Sequence, residues 1–233
     1  MLGVDGLDVH LGGNHILRDV SLTVADGDTV AVLGPSGSGK STLLRAIAGL
    51  VPVASGSITW DGKNVTSVPT HLRGFGLMFQ GYALFPHMDV AGNVGFGLRM
   101  GGAPPREVAT VVESALEWVG LSGFGDRSIA DLSGGEKQRV ALARTLAPEP
   151  KFVMLDEPLG ALDRSLRERL LVETRAILRD RGVTALVVTH DRDEASALSD
   201  RLALMRNGAI VQSGTLEEIL SRPADDWVET FLG

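Results

Sequence analysis

"GPSGSGKST", residues 34–42, stands directly after the β-branched apolar run "DTVAVLG" (28–34), and Lys40 to Leu50 reads as a helix. A glycine-rich loop between strand and helix turns backbone N–H groups inward around an anion, and the helix N-terminus adds the positive end of its dipole. Glycines alone would also suit a plain strand-to-helix turn. The full spacing, closed by Lys40, Ser41 and Thr42, is that of a phosphate-binding loop in its strand–loop–helix setting. Gly34, Pro35, Ser36, Gly37, Ser38, Gly39, Lys40, Ser41 and Thr42 are therefore the candidate nucleotide-binding residues. The glycines let the backbone wrap the phosphates, Lys40 neutralises β- and γ-phosphate charge, and the Ser41 hydroxyl reaches Mg²⁺.

Around this loop the first third of the chain reads as strands. "LRDVSLTV" (17–24) precedes the loop's strand across the turn signal Asp26-Gly27, and "SITWDGKNV" (57–65) turns at Asp61-Gly62. "GFGLMFQ" (74–80) is a further short apolar strand. "KFVMLDE" (151–157) and "VTALVVTH" (183–190) are near-continuous apolar runs, as strands buried on both faces of a parallel sheet must be. Between them Leu166, Leu170, Leu171, Ile177 and Leu178 mark a crossover helix, and "LALMRNGAIVQSG" (202–214) is a hairpin turning at Asn207-Gly208. From Pro105 to Val119 a stripe of Val108, Val111, Val112, Ala115, Leu116 and Val119 has helical spacing and reads as core packing. The expected fold is α/β: a single domain over 1–233 with a mostly parallel sheet and an N-terminal antiparallel β subdomain. A helical subdomain, approximately 81–146, is inserted into it.

Composition narrows the function. Hydrophobic residues make up 44% of the 233, which excludes disorder. The formal charge of −7, from 22 basic and 29 acidic side chains, argues against nucleic acid as a partner. There is no cysteine, hence no disulfide framework or thiolate metal site. The opening "MLGVDGLDVHLGG" has no basic n-region and reads as no secretory leader. No apolar run reaches the roughly 18 residues that span a bilayer, so service to a membrane is expected from its side.

Three further stretches carry chemistry. In "FVMLDEP" the strand delivers Asp156 to the sheet edge where open α/β sheets bind ligands, as a Mg²⁺ carboxylate. Glu157, one residue on, is aimed differently and suits a base that polarises water. Gln80 and His190 each end a strand; His190 fits a γ-phosphate contact, since no second ligand has metal spacing to it. Finally, "DLSGGEKQRVALART" (131–145) places Ser133, Gly134 and Gly135 at the start of another helix. That is a capped helix start or a second anion site. The first site is already enclosed by its own residues, so the second makes sense if it addresses another subunit's nucleotide across a two-fold axis.

Taken in order, these motifs resemble those of the ATP-binding subunits of ABC transporters, over essentially the whole chain. "GPSGSGKST" is similar to their Walker A, Gln80 to the Q loop, "LSGGEKQ" to the signature, and "FVMLDE" to the Walker B with its glutamate. "GALD" with Asp163 is similar to the D loop, and His190 to the switch histidine. The resemblance implies ATP and Mg²⁺ as ligands, with Ser41, Gln80 and Asp156 at the metal and Glu157, His190 and Gln80 at the reacting phosphate. It also implies a head-to-tail dimer in which Ser133, Gly134, Gly135 and Asp163 complete the partner's site. The implied setting is the cytoplasmic face of the cell membrane, beneath permease subunits, with a solute-binding protein as indirect partner.

"MFQGYALFPHMDVAGNVGFGLRM" (78–100) resembles importer ATPases for ferric iron, polyamines, sulfate, molybdate or thiamine, where this segment receives a permease helix. Tyr82, Leu84, Phe85 and Pro86 line that groove unless the chain's own core buries them. The end at Gly233 is expected of the short members, thiamine type among them. An exporter or lipoprotein-release ATPase is the nearest rival, and a soluble ABC ATPase the more distant one. Two departures stand out: Gly160 replaces the usual D-loop serine, and Leu11 stands where relatives stack an aromatic on adenine, with His10 as the alternative base contact.

Overall fold

The computed structural model describes residues 1–159 and 164–233. Two sheets form. β1 (Leu2–Leu11), β2 (Asn14–Val24), β4 (Ser55–Trp60) and β5 (Lys63–Asn64) make an antiparallel sheet in the order β2-β1-β4-β5. β3 (Thr29–Leu33), β6 (Phe75–Met78), β7 (Phe152–Asp156), β8 (Ala185–Thr189), β9 (Arg201–Arg206) and β10 (Ala209–Gly214) make the second, ordered β10-β9-β3-β8-β7-β6. In it only the β9–β10 hairpin is antiparallel.

Every residue of β3, β7 and β8 is buried, which is why those runs are apolar except at one end of each, Thr29, Asp156 and Thr189. Alternate side chains serve two cores. Val30, Val32, Phe152, Met154, Leu186 and Val188 pack with α1 (Lys40–Ala48) and the antiparallel sheet. Ala31, Leu33, Val153, Leu155, Ala185 and Val187 pack toward the inserted helices. Trp60, Phe75 and Phe152, with ring centroids 5.4–5.8 Å apart, join the two sheets.

The insertion between β6 and β7 carries α2 (Val90–Val94), α3 (Phe96–Met100), α4 (Pro105–Trp118) and α5 (Gly134–Leu146). α4 starts with proline at its first position and buries Val108, Val112, Ala115 and Leu116 of the predicted stripe, with Val119 buried just past its end and Val111 half-buried against the same core. After β7 come α6 (Arg164–Asp180) and, past β8, α7 (Arg192–Leu198); α8 (Leu216–Ser221) and α9 (Asp226–Leu232) follow the hairpin. Asn207 (φ 51°) and Gly208 (φ 84°) take the left-handed pair of values expected of its turn. Among the described residues no helix is long and apolar enough to cross a membrane.

Two local features shape the N-terminal part. Asp26-Gly27 forms the expected turn, Asp28 N–H donating to Ala25 O at 3.2 Å, and it hands the chain from one sheet to the other, with Gly27 N–H donating to Thr184 Oγ1 at 2.9 Å. The first strand, β1, has no clean alternation in its sequence. Its register slips between Val4 and Leu7, around Gly6 (φ 56°), so Leu2, Val4, Leu7 and Val9 all face inward despite uneven spacing.

Candidate functional site

The loop 34–42 opens into a cavity of about 620 Å³ lined by Ile16, Ser36, Gly37, Gly39, Lys40, Ser41, Thr42, Gln80, Glu157 and His190. Two of its glycines are dictated by geometry. A Cβ on Gly34 would sit 2.1 Å from the Met205 carbonyl oxygen, and Gly39, at φ 106°, caps α1 without any side-chain cap. The orphan N–H groups at this helix start are therefore left to a ligand. The β9–β10 turn backs the loop, Gly208 N–H donating to Ser38 O at 2.9 Å.

Lys40 is buried and its Nζ donates to the carbonyls of Gly34 (2.8 Å) and Pro35 (3.0 Å). Burial pulls its ammonium below the ordinary lysine value, with the charges of Glu157 and Asp156 opposing. Ser41 Oγ donates to Asp156 Oδ1 at 2.9 Å. Burial pushes the Asp156 carboxyl up, with the Ser41 bond pulling it back. A hydroxyl and a buried carboxylate in contact are hard oxygen donors beside a phosphate cradle. They fit Mg²⁺, which takes one or two carboxylates plus substrate phosphates and keeps several waters.

Asp156 and Glu157 face different ways because Glu157 adopts a left-handed backbone (φ 45°) while its N–H still bonds Val188 O at 2.9 Å. The Glu157 carboxylate is held at both oxygens. Gln80 Nε2 donates to one at 2.8 Å, and His190 Nδ1 lies 3.1 Å from the other. Gln80 is thus brought to Glu157 rather than to the Ser41–Asp156 pair. Beyond Gln80 the chain is strained: Tyr82 (φ 67°) and Ala83 (φ 46°) are left-handed, and Arg144 holds their carbonyls at 2.7 and 2.8 Å.

Ser133 and Gly134 are exposed at the start of α5. Ser133 Oγ accepts from Glu136 N–H and Glu136 Oε2 accepts from Ser133 N–H at 2.7 Å, a complete capping box. These bonds hold the Glu136 carboxyl below its ordinary value. Gly135 is buried against Leu166, which a Cβ would meet at 3.1 Å. Ser133 and Gly135 border a separate cavity of about 270 Å³ that shares no lining residue with the loop's cavity.

Other expected contacts move. Tyr82 is buried in the core, so it leaves the groove, while Leu84 and Phe85 are half-buried and Pro86 exposed. Phe85 packs on Phe96 at 4.6 Å, under the Arg144 guanidinium. His10 stacks on its cross-strand neighbour His15 at 4.3 Å, and His15 Nε2 bonds Asp8 Oδ1 at 2.6 Å. Neither His10 nor Leu11 lines the loop's cavity; Ile16 does, and no local motif marks it. Gly160 and Asp163 lie outside the described residues.

A family model described as ABC transporter matches residues 17–160. Over all 233 residues the chain is 57% identical to the Fe(3+) ions import ATP-binding protein FbpC of Streptomyces coelicolor, of which it spans 67%. It is 46% identical, again over its full length, to the putrescine transport ATP-binding protein PotG of Escherichia coli, of which it spans 62%. The chain thus covers about two thirds of the length of these curated relatives. A dimeric post-hydrolysis state of the ATP-binding cassette MJ0796, bound to ADP and Pi, matches with a TM-score of 0.81 at 29% identity, over 93% of this chain and 99% of that one.

Proposed function

Because this chain belongs to the ABC transporter family, as an ATP-binding and ATP-hydrolysing subunit of the importer type, we propose that it works as a head-to-tail homodimer under a membrane permease. Each of the two nucleotides lies between the loop 34–42 of one copy and Ser133, Gly134 and Gly135 of the other. The segment 78–100 receives the permease, which holds the subunit at the cytoplasmic face of the membrane, and a solute-binding protein acts through that permease. Cargo choice belongs to those partners.

The chemistry follows from the residues. Lys40 exchanges the carbonyls of Gly34 and Pro35 for the β- and γ-phosphates. Ser41, Asp156 and the Gln80 amide oxygen would hold Mg²⁺, which would supply neutralisation of the phosphate charge. Glu157 takes the proton of the attacking water, and His190 moves from Glu157 to the γ-phosphate. The observation that carries this reading is the Glu157 carboxylate, fixed between Gln80 and His190 at the wall of the loop's cavity. Removing a base of this kind costs on the order of 10² to 10⁴ in rate. Glu157→Gln should therefore keep ATP binding, lose hydrolysis by that factor, and accumulate as an ATP-bound dimer in size-exclusion runs. A mutant that stays monomeric with ATP counts against the mechanism.

A further inference from the structure

Glu194 is an acidic residue on a short helix, yet only 2% exposed. Nothing in the hydrolytic mechanism uses it, and a buried carboxylate survives only where its oxygens are satisfied. Both are. Oε1 accepts from the Leu159 N–H at 3.2 Å, and Oε2 accepts a short bond from Thr189 Oγ1. Thr189 Oγ1 in turn accepts from the Asp191 N–H at 3.0 Å. Asp191 closes the circuit, accepting from the Glu194 N–H at 3.0 Å and pairing with Arg167 of α6 at 2.9 Å.

The placement of these partners is the point. Leu159 lies two residues after Glu157, on the segment leaving β7, and Thr189 immediately precedes His190 at the end of β8. One carboxylate thus ties the backbone behind Glu157 to the strand end behind His190, while the side chains of Glu157 and His190 meet on the cavity side, 3.1 Å apart. We propose that Glu194 is a positioning residue for hydrolysis, holding the Leu159 and Thr189 segments in the one relative arrangement in which Glu157 and His190 meet at the γ-phosphate. This rests on the ATPase reading above. Phosphate binding does not depend on it, because the loop 34–42 is held by α1 and the β9–β10 turn.

The test is Mg²⁺-ATP hydrolysis by the whole chain, with ATP affinity measured separately by titration. A misplacement near 1 Å costs about 10²-fold in rate, so Glu194→Ala should lower kcat about ten- to a hundredfold with KM for ATP within about twofold. Glu194→Gln should restore most of that loss, since its amide oxygen accepts from Leu159 and its amide N–H donates to the Thr189 hydroxyl. Thr189→Val, which deletes only the hydroxyl, should show a smaller loss confined to kcat. In a Glu157→Gln background Glu194→Ala should add almost nothing, as expected of a residue acting through Glu157. Unchanged kcat in Glu194→Ala, an equal loss of ATP affinity, or a Gln variant no better than Ala overturns the inference. Should Glu194→Ala fail to fold, Thr189→Val decides alone: a loss in kcat supports positioning, and full activity sinks it. A wild type without ATPase activity would sink both readings, whereas an active wild type beside an equally active Glu194→Ala sinks only this one.

Discussion

Two glycine-rich helix starts in this chain are built in opposite ways. At α1 the helix is left uncapped by any side chain, and the lysine folds onto the loop's own carbonyls. At α5 the helix carries a full capping box and stands exposed, on a different cavity. The first leaves its helix N-terminus to an anion within one protomer, with no side-chain cap in the way. At the second, the Ser133 and Glu136 N–H groups are already satisfied by the helix's own residues, so on the head-to-tail reading proposed above a partner's nucleotide competes with that box. The same local chemistry yields an intrinsic site in one place and a conditional one in the other.

The largest effect expected breaks that pairing outright. Lys40→Ala disables the first start and Ser133→Arg the second, and each homodimer should be inactive. A mixed dimer retains one composite site, the loop of one copy facing the signature of the other. Mixing the two mutants should restore ATPase activity. No recovery despite proven mixed-dimer formation would assign Ser133 to its own protomer.

A smaller effect sharpens how the first start holds its ligand. Its grip falls on the phosphates, because the side chain offered from β2 is the aliphatic Ile16 and His10 is engaged with His15. Base–aromatic stacking is worth roughly 1–3 kcal/mol, so ATP and GTP should bind with similar constants. An aromatic at the β2 position that lines the cavity should add this contact: Ile16→Tyr should tighten ATP about tenfold, the low end of that range, whereas Leu11→Tyr, outside the cavity, should change little. Titrations of both nucleotides against wild type, Ile16→Tyr, Leu11→Tyr and His10→Ala check it. A gain in Leu11→Tyr without one in Ile16→Tyr, or a large loss in His10→Ala, would move the base contact to the end of β1.

How much of this was legible follows from the range over which each feature is encoded. The loop 34–42, the buried runs of β3, β7 and β8, the Asn207-Gly208 turn and the α4 stripe are local patterns, and each appears where its residues indicate. Features that depend on distant partners were not visible. Gly208 supports Ser38 from about 170 positions away, and Ile16 enters the cavity only because β2 runs beside the loop. Glu194 looks like a solvent-facing charge in "DRDEASAL", and only Leu159 and Thr189 reveal it as buried. Tyr82 misled for the opposite reason: an aromatic after the Q loop reads as surface, but its left-handed backbone turns it into the core.

The smallest effect concerns the cap itself, which separates the two starts. Loss of an N-cap hydroxyl costs about 1 kcal/mol, so Ser133→Ala should lower the melting midpoint of the isolated protomer by roughly 2–4 °C. Nothing comparable can be removed from α1, whose cap is Gly39. Glu136→Ala should cost less, a few tenths to about 1 kcal/mol for an acidic group in a first helical turn, reduced further by its exposure to solvent. The two variants part in their pH dependence. The Glu136 carboxyl is held below its ordinary value, chiefly by its bonds to Ser133. Its stabilisation is therefore complete above the unfolded glutamate value and is lost as pH falls through the lowered folded value. Chemical denaturation at neutral pH and across the acid limb should show the gap between wild type and Glu136→Ala closing as pH falls through that window. A gap that persists or widens on acidification would leave the cap to the Ser133 hydroxyl alone, with the carboxylate contributing nothing to it.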